Sequence, residues 1–248
     1  MQAKIAVQQY SLKDYEGGWD AGFAAVKRLG VELIEPWSGA VPNDPDASTS
    51  VDGLRAALDK HNLRLTCGHI ALGDYEERYE IWKQFLLDYG SDTWVIPFAR
   101  AGTLDEWLAL LPKFREMEGR LNGDGLALCY HNHHMELEEF SGKRVFEHLL
   151  DQMPSLQAQF HIGQFLPERG VDLSSWIRRY KDRVRSLHVN DATADGWARL
   201  GEGDCRAQEA IKAGLDTGVD TFILERPVIK DNFSELAYDF DILAKELG

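Results

Sequence analysis

The chain has 248 residues, 44% of them hydrophobic and 27% charged, with a formal net charge of −14. That length suits one (β/α)8 barrel of about 250 residues, and no linker, charge block or low-complexity stretch divides it, so residues 1–248 are expected to form one domain. The acidic balance lacks the basic footprint of a nucleic-acid binder, no apolar run approaches the roughly 20 residues of a membrane helix, and the three scattered cysteines argue for a reducing cytoplasm rather than a disulfide framework.

Residues 5–7 read as a first strand rather than a secretory segment, with Gln8 and Gln9 at its end. A helix over 19–29 carries Trp19, Phe23, Val26 and Leu29 on one face and stops at Gly30. The second strand, 31–34, leads to Glu35 and then to a Pro-, Asn- and Ser-rich stretch, 38–50, expected as a lid over the mouth or a plain surface connection. The third strand, 63–66, precedes His69, and the helix after it runs over 75–89. The fourth, 94–96, precedes Arg100 and a helix over 104–121. The fifth, 126–130, runs into His131-Asn132-His133-His134 and a helix over 145–153. The sixth, 158–160, leads to His161, and Asp172 caps a helix over 173–180. The seventh, 184–187, reaches His188-Val189-Asn190-Asp191. The Gly201-Glu202-Gly203-Asp204 turn follows, with Asp204 as expected N-cap of a helix over 207–217. The eighth, 221–224, ends at Glu225, and a helix over 233–247 starts near a Ser234 cap.

Eight such strands would aim their C-terminal ends at one mouth. Residues at i and i+2 on extended chain share a face, so His131 and His133 point the same way, as do His188 and Asn190, while His134 faces off. One imidazole of the fifth-strand pair would bind metal or substrate while the other orients it. His161 and Glu35 can each be ligand, base or hydrogen-bonding clamp, and His69 can hold a hydroxyl or shuttle a proton. Glu225 after Phe-Ile-Leu needs a cation or donors to be buried: either the site, or a salt bridge with Arg226 or Arg199. Arg199 is also a candidate for binding substrate. Trp37, Trp197 and Phe165 fall in mouth loops and can stack on a sugar face, whereas Trp82 and Trp107 sit on helix faces directed to the core.

Gly30 to Glu35, Tyr130-His131-Asn132-His133 with Glu136, Arg183 to Asp191, Leu200 to Gly203 and Leu224-Glu225 together resemble the xylose isomerase-like superfamily of TIM barrels, the branch with a Tyr-His-Asn-His motif. The resemblance spans nearly the whole chain. It implies a single (β/α)8 barrel binding one divalent metal through residues ending strands five to eight, here His131, His161, His188 and Glu225. His161 stands where an Asp is usual, a donor set that suits Zn, Mn, Co or Fe better than Mg. Asn190 replaces the usual Lys. The implied activity is a metal-dependent sugar isomerase or epimerase acting by proton transfer next to a carbonyl. A sugar or polyol dehydratase is the alternative, and a non-catalytic sugar-binding barrel stands behind both. Catalytic candidates are Glu225, Glu136, His69 and Glu35, and substrate-binding candidates are His133, Asn190, Arg199, Trp37 and Trp197. The partner is a small sugar or polyol, with neither nucleic acid nor membrane, and a homo-oligomer is compatible with the sequence.

Overall fold

A computed structural model describes residues 2–41, 50–226 and 233–248. Of the stretch read as a lid, residues 42–49 lie outside the described residues. Strands β1 (Lys4–Gln8), β2 (Leu33–Glu35), β3 (Arg64–Leu65), β4 (Gly68–His69), β5 (Thr93–Ile96) and β6 (Ala127–His131) are followed by a ribbon, β7 (Glu139–Phe140) and β8 (Lys143–Arg144). After them come β9 (Gln157–His161), β10 (Val184–Val189), a second ribbon of β11 (Asp191–Thr193) and β12 (Gly196–Ala198), and β13 (Thr221–Leu224). Nine strands form one parallel sheet in the order β3-β2-β1-β13-β10-β9-β6-β5-β4, a nearly closed barrel with helices between the strands.

The predicted third strand is split. β3 pairs with β2 and β4 pairs with β5, with Thr66 and Cys67 between them. The chain itself, together with the His69 amide bonded to the Pro36 carbonyl at 2.9 Å, completes the ring there. Pro36 lacks an N–H, so the ladder cannot continue regularly past Glu35.

Helices α1 (Gly18–Arg28) and α2 (Val51–His61) precede α3 (Leu72–Glu77) and α4 (Tyr79–Asp88), so the helix expected over 75–89 is interrupted. At the break Arg78 takes φ −131°, while its guanidinium binds the Val41 carbonyl and Asp74. The helix expected over 104–121 divides into α5 (Leu104–Leu108) and α6 (Leu111–Gly123), because Pro112 in the first turn of α6 has no N–H to continue α5. Next come α7 (Val145–Gln152) and α8 (Leu173–Arg179), the latter capped by Asp172 as expected. The last two are α9 (Ala207–Thr217) and α10 (Ser234–Leu247). Two cap assignments fail. Arg206, with φ 52°, precedes α9 in place of Asp204, and Phe233 precedes α10 with no side-chain cap bond.

The barrel interior is a small layer of Ala6, Cys67, Val95, Cys129 and Ile223. A larger core lies between sheet and helices and includes Trp82, Trp107, Phe146, Phe160 and Phe222. Burying one such side chain contributes roughly 1.5–3 kcal/mol, and this outer layer holds the strand ends in place. Phe165, expected in the mouth, belongs to it: only 4% exposed, it meets Phe160 and Trp176 edge-on.

Candidate functional site

Inward alternation and strand register build the site from below. Gln8 lies beside Glu35, His131 beside Gln159 and His188 beside His161 across adjacent strands. Glu35 is completely buried and forms the floor. It accepts from Gln8 Nε2 at 2.5 Å, Cys67 Sγ at 2.8 Å, Gln159 Nε2 at 2.8 Å and His188 Nε2 at 2.6 Å. Burial alone would raise its pKa, but His69 and His188 hold it down at about 2. His188 donates its other nitrogen, Nδ1, to Glu225 Oε2 at 2.8 Å. Burial disfavours its charged form, yet the two carboxylates push it up to about 9.

Gln159 fixes two more imidazoles. Its amide nitrogen is committed to Glu35 and to Ser186 Oγ, so its oxygen faces His131 Nδ1 at 2.8 Å and His69 Nε2 at 2.6 Å, and both must donate. His131 then turns Nε2 to the centre, 3.0 Å from His161 Nδ1. Asn132 Oδ1 accepts from the His161 amide, and Asn190 Nδ2 meets His161 Nε2 at 2.6 Å. Burial pushes His131 well below the usual histidine range, His161 to about 3 and His133 to about 4, and also lowers His69. Glu225, which burial would raise, is kept at about 2 by His161 and His188.

Above this floor opens a cavity of about 320 Å³. Tyr10, Trp37, Pro97, Phe98 and Trp197 wall it, and His69, His131, His133, His161, Gln164 and Glu225 supply its polar surface. Trp197 stacks over His161 with ring centres 5.7 Å apart, and His133 Nδ1 is buried without a partner. Flat aromatic walls with a few convergent polar groups suit a small polyhydroxylated ligand.

Donor atoms of His131, His161, His188 and Glu225 lie within 4.8 Å of one another. Their closest separations, 2.8 to 3.6 Å, bracket the roughly 3.3 Å ligand–ligand edge of a tetrahedral site with bonds near 2.0–2.1 Å. The donor set therefore fits a divalent cation.

No protein-family model matches the chain, and no curated protein matches it. Solved structures do. A sugar phosphate isomerase/epimerase from Parabacteroides distasonis superposes with a TM-score of 0.77 at 17% identity, covering 98% of each chain. The probable 3-DHS dehydratase AsbF from Bacillus anthracis gives 0.75 at 15% identity, covering 97% of this chain and 98% of the other. A Mycobacterium smegmatis xylose isomerase-like TIM barrel protein in complex with magnesium gives 0.71 at 13%, covering 99% and 96%. This chain shares the TIM-barrel fold of these structures.

Within this TIM barrel, the sequence-predicted residues divide into three groups. Facing the cavity are His69, His131, His133, His161, Glu225, Trp37 and Trp197. Glu35, His188 and Asn190 stand directly behind them. Two are not brought in. Glu136 turns to Tyr130 OH at 2.6 Å and the His133 amide at 2.8 Å, bracing the loop that carries His133. Arg199 lies at the surface, 2.8 Å from Glu235, because the β11–β12 ribbon carries it out over α10. Arg100 and His134 are also exposed and away from the cavity. Glu225 pairs with His188 and His161, while Arg226 pairs with Asp239 and Glu235, so the predicted Glu225–arginine salt bridge is absent. Sequence reading missed Gln159, Gln164, Tyr10 and Phe98. For Gln159 the signal was present: it precedes His161 by two residues and so shares its face.

Proposed function

We propose that the protein is a carbohydrate enzyme that moves a proton between carbons next to a carbonyl, an isomerase of a small sugar or polyol. One observation carries this reading: among the described residues Glu225 is the only carboxylate lining the cavity, and imidazoles surround it. His131, His161, His188 and Glu225 are the donors available to a divalent cation, which would supply polarisation of a substrate carbonyl and its neighbouring hydroxyl. Glu225 is ionised at neutral pH, as its pKa near 2 requires. His69, lowered by burial, is neutral. Its Nε2–H is committed to Gln159, leaving Nδ1 as its basic nitrogen. A carboxylate and a neutral imidazole on the same cavity are a competent acid–base pair. The aromatic walls exclude water from the enediolate-like charge, which strengthens every polar contact made to it.

Inversion by two carboxylates on opposite substrate faces finds no support in this geometry. Glu35, in the floor, is enclosed by its hydrogen-bond partners and does not line the cavity, and Glu136 is bound to Tyr130. The second reading, a sugar or polyol dehydratase, draws on His133, which lines the cavity and whose unpartnered Nδ1 could hydrogen-bond a departing hydroxyl.

The test is incubation of Mn- or Zn-loaded protein in D2O with a panel of ketoses and 3-keto-glycosides, followed by NMR and ultraviolet absorbance. Isomerisation predicts deuterium on the carbon beside the carbonyl with no other change of formula, and Glu225→Gln should slow it about 100-fold or more. A new enone absorbance would assign the dehydratase instead. Neither exchange nor product across the panel would overturn both.

A further inference from the structure

We infer that Asn190 keeps His161 out of the coordination shell, leaving a three-ligand centre of His131, His188 and Glu225 with His161 as a hydrogen-bond donor beside it. The inference rests on the metal-assisted reading above and departs from the four-ligand set that the sequence implied.

The Gly163 amide is an obligate donor. It points at one terminal atom of the Asn190 side chain, 2.7 Å away, and only the carbonyl oxygen can accept there. The NH2 group therefore faces His161 Nε2 at 2.6 Å. An amide NH2 only donates, so Nε2 must accept, and a neutral imidazole that accepts at Nε2 carries its hydrogen on Nδ1. That Nδ1–H has an acceptor in His131 Nε2 at 3.0 Å, which is free because His131 spends its own N–H on Gln159. From Asn190 through His161 and His131 to Gln159, every donor meets an acceptor in one direction.

Turning Asn190 over would set its NH2 against the Gly163 N–H. The contact is also close: a Cβ added at Gly163 would stand 2.6 Å from Asn190 Oδ1. Asn190 is 1% exposed and His161 3%, so no bulk water can satisfy the broken partner. His161 lacks a lone pair where a cation would need one. His131 keeps Nδ1–H on Gln159 and turns a free Nε2 to the centre. His188, which carries a proton on each nitrogen, can give up the one on Nδ1 while Nε2–H stays on Glu35, whereas His161 has a single proton and would have to become an imidazolate. Three protein ligands with an open position is the pattern of catalytic rather than structural metal sites. Because His161 lines the cavity, its N–H would be released to an oxygen of a carbonyl or hydroxyl substrate once a cation occupied His131 Nε2.

The test has two parts. Long-range 1H–15N correlation spectra of metal-free, 15N-histidine-labelled protein, assigned with His161→Ala, should show His161 as the Nδ1–H tautomer. An Nε2–H tautomer would overturn the inference without reference to any metal. Zn(II) titration by calorimetry should then find His161→Ala within threefold of the parent Kd, against a loss of 100-fold or more for His131→Ala. Equal losses in the two variants would also overturn it. Asn190→Asp offers a carboxylate that accepts from both the Gly163 amide and His161 Nε2–H, freeing Nδ1. It should tighten Zn(II) binding tenfold or more, a gain that His161→Ala in the same chain abolishes. Should the parent bind no Zn(II) while Asn190→Asp does, the metal-assisted reading falls and the lock on His161 stands.

Discussion

His188 lies between Glu35 and Glu225, and its environment differs in sign from that of every other imidazole in the mouth. The two carboxylates raise it to about 9, whereas burial lowers His69, His131, His133 and His161. The linkage works in two windows. His188 contributes stability that is complete below its unfolded pKa of about 6.5 and is lost as pH rises toward 9. The lowered histidines contribute stability that is complete above about 6.5 and is lost as pH falls, and Glu35 and Glu225 add a further loss as pH drops below about 4.5 toward 2. Metal-free protein should therefore melt at its highest temperature near pH 6.5 and less stably on either side. Calorimetric scans from pH 4 to 9 would show this, and His188→Gln should flatten the alkaline limb and, by taking a cation from Glu35 and Glu225, also weaken the carboxylate part of the acid limb. At this scale the sequence was informative wherever alternation along a strand decided direction: His131, His188 and Glu225 reach the centre as their positions required. It was silent on tautomers and on what lies behind each ring, because those depend on partners such as Gln159 and Asn190 from neighbouring strands.

Among the elements, the loop between β12 and α9 shows what the Gly201-Glu202-Gly203 turn is built around. Asp191 accepts from the amides of Ala192, Gly201, Gly203 and Cys205 at 3.0 to 3.2 Å. A Cβ at position 203 would sit 2.2 Å from Asp191 Oδ1, so glycine is required there by the carboxylate. Asp191→Ala would leave these amides without their acceptor at a buried position. It should cost about 2–4 kcal/mol, read by urea unfolding, because bonds to a charged group are worth roughly 1.5–3 kcal/mol. Its effect on Zn(II) affinity should be small, since Asp191 does not face the cavity. Strand and helix order were legible from period and spacing. The split of the third strand and the breaks at Arg78 and Pro112 were not: a two-residue β pairing leaves almost no periodicity, and helix pieces on a common face keep the apolar stripe of one long helix.

For the molecule as a whole, charge and cavity lining agree on the substrate. The chain carries −14 overall, and none of the described cavity-lining residues is Lys or Arg. A phosphate entering that cavity would meet Glu225 and aromatic edges without a counter-charge, so a phosphorylated sugar should show a KM at least about tenfold above that of its neutral parent. A panel of matched pairs would check it, and equal KM values would refute it. Across the barrel, Glu35 joins side chains from β1, the Thr66–Cys67 link, β9 and β10 at one carboxylate. Groups that share a partner do not contribute additively. Sequence drift at the floor is therefore constrained as a set: a lineage altering Gln8, Cys67, Gln159 or His188 singly passes through a poorly balanced intermediate, and these positions should change together or not at all.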